Sequence, residues 1–146
     1  GAEYEVEMIA KMDVNGAPRT VSGRVDAMVI RGPKTASNPD GVIKSLADGI
    51  SPDDVVTIWE FKCVKELTSE HILQVANYSW LFQKNYPMVR AYYYLLNILD
   101  DTLIEVVVSP YDGDNLSKIV QKQLREKIKV RVRGSDSDFL AANSLV

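Results

Sequence analysis

An α/β domain, one mixed β-sheet with α-helices packed against it, is the architecture this sequence predicts. Three observations predict it. Residues 55–64, V-V-T-I-W-E-F-K-C-V, form an apolar and β-branched run that reads as a central strand covered on both faces. A helical segment follows, with Thr68 or Ser69 as its cap and Pro87 as its stop. Strand-like runs flank this unit on both sides, and the order β-β-β-α-β-β-α belongs to a mixed sheet with helices against it.

Taken in order, residues 3–13 alternate loosely and end at Asn15-Gly16, a strong hairpin signal. A second strand is expected over 19–30, with Val21, Val25, Ala27 and Val29 giving it an apolar character. Asp26 interrupts it, on the face of Arg24 and Met28 if alternation is strict. Gly23 marks a bulge or a close backbone approach. Between 31 and 54 the pattern breaks at Gly32, Pro33, Asn38, Pro39, Gly41, Gly49 and Pro52, with room for a short helix near 42–47. A connection this long either flanks a site or is an inert insertion.

The helix from Thr68 or Ser69 runs to about Asn85. Its packing stripe is Ile72, Val75, Ala76, Ser79 and Phe82, and His71, Gln74 and Tyr78 fall on a neighbouring stripe. Strands at 91–99 and 102–109 follow, joined by Asp100-Asp101, and the tyrosines Tyr92, Tyr93 and Tyr94 suit a sheet interior. A last helix is expected from Asp112 or Asp114 to about Ile128, with Leu116, Ile119, Val120, Leu124 and Ile128 facing the core. The tail from 134 reads as loose, with Phe139-Leu140 able to dock.

The 146 residues suit a single domain, 1–146, with a core of useful size. At 46% hydrophobic and 25% charged the composition is that of a globular protein. No apolar run approaches the roughly 18 residues of a membrane span, and no signal segment is visible. One cysteine, Cys63, expected on the apolar face of the central strand, excludes an internal disulfide and a cysteine-rich zinc site. The expectation is an intracellular protein, cytoplasmic, nuclear or viral in a host cell, and not a secreted one. A net charge of −3 argues against gripping nucleic acid by bulk charge. Basic residues nevertheless gather at Lys118, Lys122, Arg125, Lys127, Lys129, Arg131 and Arg133, a solvated face or, less often, a phosphate-facing edge.

The chemistry concentrates in the central strand. Glu60 and Lys62 point the same way, their Cα atoms about 7 Å apart. Burying an ionised group is costly unless it is paired or binds an ion. Alone, such a pair is usually a local salt bridge. Its company is more specific: Asp26 interrupts the preceding long strand, and Gln74 lies on the helix with Tyr78 one turn later. If the two strands are neighbours in register, Asp26 and Glu60 converge on one ion. Carboxylate oxygens are hard ligands, so Mg²⁺ or Mn²⁺ is expected before Zn²⁺.

At these residues the chain resembles the PD-(D/E)XK nuclease superfamily, most closely its RecB-type exonuclease branch. The carrying pieces are G-R-V-D ending at Asp26, W-E-F-K with Glu60 and Lys62, and H-I-L-Q-V-A-N-Y with Gln74 and Tyr78. The resemblance implies a restriction-endonuclease-like core, with metal ligands at Asp26, Glu60 and the Phe61 carbonyl. It implies that Lys62 is needed for cleavage and that Gln74 and Tyr78 line the site. The implied activity is metal-dependent hydrolysis of nucleic acid, DNA before RNA, in a larger protein carrying helicase, primase or polymerase domains. Many RecB-type members have an earlier helix with another ligand; here Glu3, Glu5 or Glu7 substitutes, or that ligand lies upstream or is absent. The competing expectation is a catalytically silent nuclease-like fold that binds nucleic acid or protein.

Overall fold

The computed structural model describes residues 1–107. Two long strands open the chain, β1 (Glu3–Val14) and β2 (Ala17–Arg31). The turn between them places Asn15 at φ 53° and Gly16 at φ 80°, the left-handed pair that a two-residue hairpin requires. Register runs from Val14 opposite Ala17 to Glu3 opposite Met28. A two-residue strand, β3 (Ile43–Lys44), then continues that edge by pairing with Ile30 and Arg31.

The central strand is β4 (Val55–Lys62), lying between β2 and β5 (Arg90–Asn97). It is antiparallel to β2 and parallel to β5, and α1 (Ser69–Asn85) makes the connection that a parallel pair needs. Strand β6 (Thr102–Val106) pairs antiparallel with β5 and closes the order β1-β2-β4-β5-β6. The described residues thus form a mixed, open, six-stranded sheet with one helix packed on it.

Helix α1 forms where its stripe and caps say it should. Thr68 is the N-cap residue, and its backbone N–H donates to His71 Nδ1 at 3.0 Å. At the other end Tyr86 N donates to Phe82 O, and Pro87 keeps Tyr86 out of helical conformation. Ile72, Val75, Ala76, Ser79 and Phe82 are all buried. They meet Val25, Met28, Ile30, Val56, Ile58 and Leu95 of the sheet in one core.

Gly23 is a close approach. A Cβ there would lie 2.9 Å from Leu81 Cδ1 and 3.0 Å from Tyr78 Cε1. The bare backbone lets the helix settle onto the sheet at the turn that carries Tyr78. A Gly23→Val variant is expected to lose about 1–3 kcal/mol by overpacking. Its thermal midpoint and chemical denaturation midpoint measure that loss.

Several expectations are corrected. No helix forms near 42–47; β3 and a 3₁₀ turn at Leu46–Asp48 stand there instead. Gly41, at φ 80°, sits so close to the Gly32 carbonyl that a Cβ could not fit, and this turn folds 42–44 back onto β2. Lys44 and Asp54 then close the segment with a 2.7 Å ion pair, and Leu46 N donates to Glu3 Oε1 at 2.7 Å. Burial alone would raise the Asp54 carboxyl, but Lys44 and Ser51 outweigh it and hold it below its usual value. The 31–54 segment meets the sheet at Arg31 and Val55, the opposite end of β4 from Lys62.

Cys63 is exposed rather than packed, because β4 ends one residue before it. Trp59 and Phe61 are half-buried on the face away from α1, where Trp59 stacks on Tyr94 at 4.9 Å between centroids. Tyr93 is buried as expected, whereas Tyr92 is exposed. The expected last helix, its basic run, the end of the 102–109 strand and the tail lie outside the described residues. No helix among the described residues is long and apolar enough to cross a membrane.

Candidate metal and phosphate site

The last ladder pair between β2 and β4 is Ala27 opposite Trp59. One step beyond it, Asp26 faces Glu60. Here the two strands stop exchanging backbone bonds, and the Asp26 side chain takes over. Its Oδ2 accepts from Phe61 N at 2.7 Å. In an extended strand a residue's N–H and C=O point to the same side, so the Phe61 carbonyl also faces β2.

Glu60 is 3% exposed and sits on the helix side of the sheet with Ile58 and Val56. Its Oε2 is 3.3 Å from Lys62 Nζ and accepts from the Tyr78 hydroxyl at 3.3 Å. Its Oε1 is buried, and no N–H or O–H donates to it. Burial, reinforced by the hydrogen bond and negative charge of Asp26, pushes the Glu60 carboxyl up to about 7, with Lys62 opposing. Two carboxyls this close repel each other, and Lys62 only partly offsets the cost of charging Glu60.

Tyr78 stands where α1 crosses Gly23. Its hydroxyl is pushed well up, first by burial, then by the charge and hydrogen bond of Glu60 and by the charge of Asp26. It therefore stays protonated and donates. Gln74, one turn earlier, lies beside the Tyr78 hydroxyl and offsets a small part of that rise. His71 lies at the helix start; burial and the nearby Lys62 charge hold its imidazole below its usual value. With Nδ1 accepting from Thr68, its free donor position is Nε2.

Asp26, Glu60, Lys62, Gln74 and Tyr78 thus gather at one end of β4, and the Phe61 backbone lies beside them. Arg24 is exposed. Glu3 does not join them, because its carboxylate is bonded to Leu46 N; Glu5 and Glu7 are exposed. Among the described residues no group of three or more His, Cys, Asp or Glu side chains could hold a metal. The residues fit an ion that takes few protein ligands. Mg²⁺ typically uses one or two carboxylates and fills its remaining positions with water and substrate phosphate. Glu60 Oε1, the Asp26 carboxyl and the Phe61 carbonyl are oxygen donors of that kind.

A residue beside this site gives no sign in the sequence. Asn97, fully buried at the end of β5, stands opposite Lys62 in the parallel ladder. An asparagine just before Asp100-Asp101 reads locally as part of a turn. Only the register reveals its position.

No protein-family model and no curated protein matches the chain. Among solved structures it is similar to one described as the crystal structure of SSO0001, with 19% sequence identity and a TM-score of 0.46. That match covers 84% of this chain and 48% of the other, so the chain spans about half the length of that relative.

Proposed function

We propose that this domain is a metal-dependent nuclease that hydrolyses phosphodiester bonds of nucleic acid, DNA before RNA, on a restriction-endonuclease-like core of RecB type. The observation that carries the reading is the meeting of Asp26 and Glu60 on one face, with Lys62 Nζ 3.3 Å from Glu60 and a buried Glu60 oxygen to which no N–H or O–H donates. A structural ion pair alone needs neither the second carboxyl nor an oxygen left without a donor.

Asp26, Glu60 and the Phe61 carbonyl would hold Mg²⁺ or Mn²⁺. That ion, when bound, polarises a phosphate oxygen and lowers the pKa of water at the site. Lys62 places its ammonium beside Glu60, where it orients the attacking water and offsets the charge that gathers on phosphorus during in-line displacement. Tyr78 anchors the Glu60 carboxylate by donating to Oε2, which leaves Oε1 for the ion. Gln74, one turn earlier on α1, lines the site beside that hydroxyl. Asp26 serves twice, since its Oδ2 also fixes the Phe61 amide and with it the adjoining carbonyl. In a longer protein this domain would cut strands delivered by a helicase, primase or polymerase.

Labelled single- and double-stranded DNA and RNA, incubated with Mg²⁺ or Mn²⁺, test the reading. The wild type is expected to cleave DNA, and Asp26→Asn to lose about 100-fold or more, at least what the loss of an outer partner of a metal ligand removes. Absence of cleavage of every substrate with either metal sinks the nuclease reading and leaves a binding module.

A further inference from the structure

The parallel ladder of β4 with β5 ends with Lys62 opposite Asn97. Past that point the chain turns into an exposed stretch that includes Cys63, Lys65 and Glu66. The ladder holds the Lys62 backbone on its near side, where Ile98 N donates to its carbonyl, but leaves the chain beyond it without a strand partner. The Asn97 side chain supplies the missing restraint. Its Oδ1 accepts from Val64 N at 3.1 Å, and its Nδ2 donates to Val64 O at 2.8 Å. One amide thus pairs with both polar groups of a residue two positions beyond Lys62, as a further strand residue would. Ile98 N donates to the Lys62 carbonyl at 2.7 Å, and Oδ1 also receives Leu99 N at 3.4 Å. The donor and acceptor ends of the amide are assigned by this network, because the flipped amide would set oxygen against oxygen.

We propose that Asn97 is a positioning residue for Lys62: it clamps the backbone on the far side of the lysine so that the ammonium is held beside Glu60. The inference rests on the nuclease reading and deepens it. Asn97 is fully buried, and both ends of its amide are engaged by the Val64 backbone. Lysine has a long, flexible stem, so where its ammonium spends its time depends on the backbone that launches it. An unpaired end of β4 would leave the strand's other residues in register and blur only this last one. Asp26 and Glu60 are held by separate contacts, to Phe61 N and to Tyr78, which do not pass through Asn97.

The test uses Asn97→Ala and Asn97→Leu in the full chain; the leucine keeps the volume and removes both hydrogen bonds. Each variant is assayed for DNA cleavage at a temperature where circular dichroism shows it fully folded, beside the wild type and Lys62→Ala. Mn²⁺ affinity is read by calorimetry and protection of the Val64 amide by hydrogen exchange. The expected result is a ten- to hundredfold fall in kcat, the scale of a misplacement of about 1 Å. KM and Mn²⁺ affinity should stay within twofold of the wild type, and Val64 should lose its protection. If both folded variants keep the wild-type kcat while Lys62→Ala is inactive, the positioning role is wrong and the nuclease reading stands. A parallel loss of Mn²⁺ affinity also overturns it, since Asn97 would then support the whole site and not the lysine. If the wild type cleaves nothing, or Lys62→Ala cleaves as well as the wild type, the nuclease reading fails and the positioning role goes with it.

Discussion

Lys62→Ala is expected to cut the rate of DNA cleavage by about 100- to 1,000-fold, the scale of removing one aimed charge or donor from a transition state. Mn²⁺ binding should survive the change. The two expectations together separate chemistry from architecture. The ammonium sits 3.3 Å from Glu60 Oε2, with its side chain 24% exposed against 4% for the glutamate. It is therefore a charge at the mouth of the site, able to face both the carboxylate and an incoming phosphate. Removing it deletes a positive charge beside the place where a cation would bind, so Mn²⁺ affinity should be unchanged or somewhat tighter. A global loss of structure would instead weaken both. Lys62→Arg keeps the charge but replaces a compact ammonium with a broad planar group, and partial activity at best is expected of it. Cleavage by the alanine variant within threefold of the wild type would leave the lysine as an ordinary ion-pair partner and remove the main support for hydrolysis. The measurements are initial rates at saturating Mn²⁺ and a calorimetric titration of each protein without substrate.

Strand alternation is a local rule, so the sequence showed which way Asp26 and Glu60 each point along their strands; that they share a face also needed the two strands to pair in register, which the sequence offered only as a condition. Met28 opposite Ile58 puts the residues two positions away, Asp26 and Glu60, on the same side. The hairpin at Asn15-Gly16, the helix boundaries at Thr68 and Pro87 and the packing stripe of α1 were legible for the same reason: each signal lies within a few residues of its effect. What failed depended on distant contacts. Strict alternation would give β2 one apolar face of Val21, Val25, Ala27 and Val29. The deepest residues are instead Val25, then Met28 and Ile30, while Val29 is half-buried. The step changes near Asp26, across from Glu5, whose φ of 51° breaks the regular pleat of β1. The 42–47 segment lost its expected helix to an ion pair with Asp54 and to the free edge of β2, neither of which its own residues announce. Asn97 was invisible because its partner, Val64, is thirty-three residues away.

The stability of the metal-free protein is expected to fall as pH rises from 6 to 8, and Mn²⁺ should reverse that trend. The sign follows from Glu60. Burial and Asp26 raise its carboxyl from 4.5 to about 7 in the folded chain. Between those values the folded state holds a proton that the unfolded chain has released, so raising the pH favours unfolding. The contribution is fully present below about 4.5 and is lost as pH passes through about 7; it amounts to roughly 1–3 kcal/mol. His71, whose imidazole is held below its usual value by burial and Lys62, works in the opposite direction over the same range. The informative quantity is therefore the difference between the wild type and Glu60→Gln, which keeps His71 and removes the carboxyl. Mn²⁺ needs the deprotonated acid, so binding must release the proton wherever Glu60 still holds it. Apparent Mn²⁺ affinity should rise about tenfold per pH unit up to about 7 and level off above it, and the thermal shift from added Mn²⁺ should be larger at pH 8 than at pH 6. Glu60→Gln should melt at or above the wild type in metal-free buffer at pH 8, since it removes a carboxylate that burial disfavours, and should show little Mn²⁺ shift at any pH. Melting curves at both pH values, with and without Mn²⁺, decide it: a wild type whose melting point ignores the metal at pH 8 would mean that Asp26 and Glu60 do not hold an ion, whatever else they hold in place.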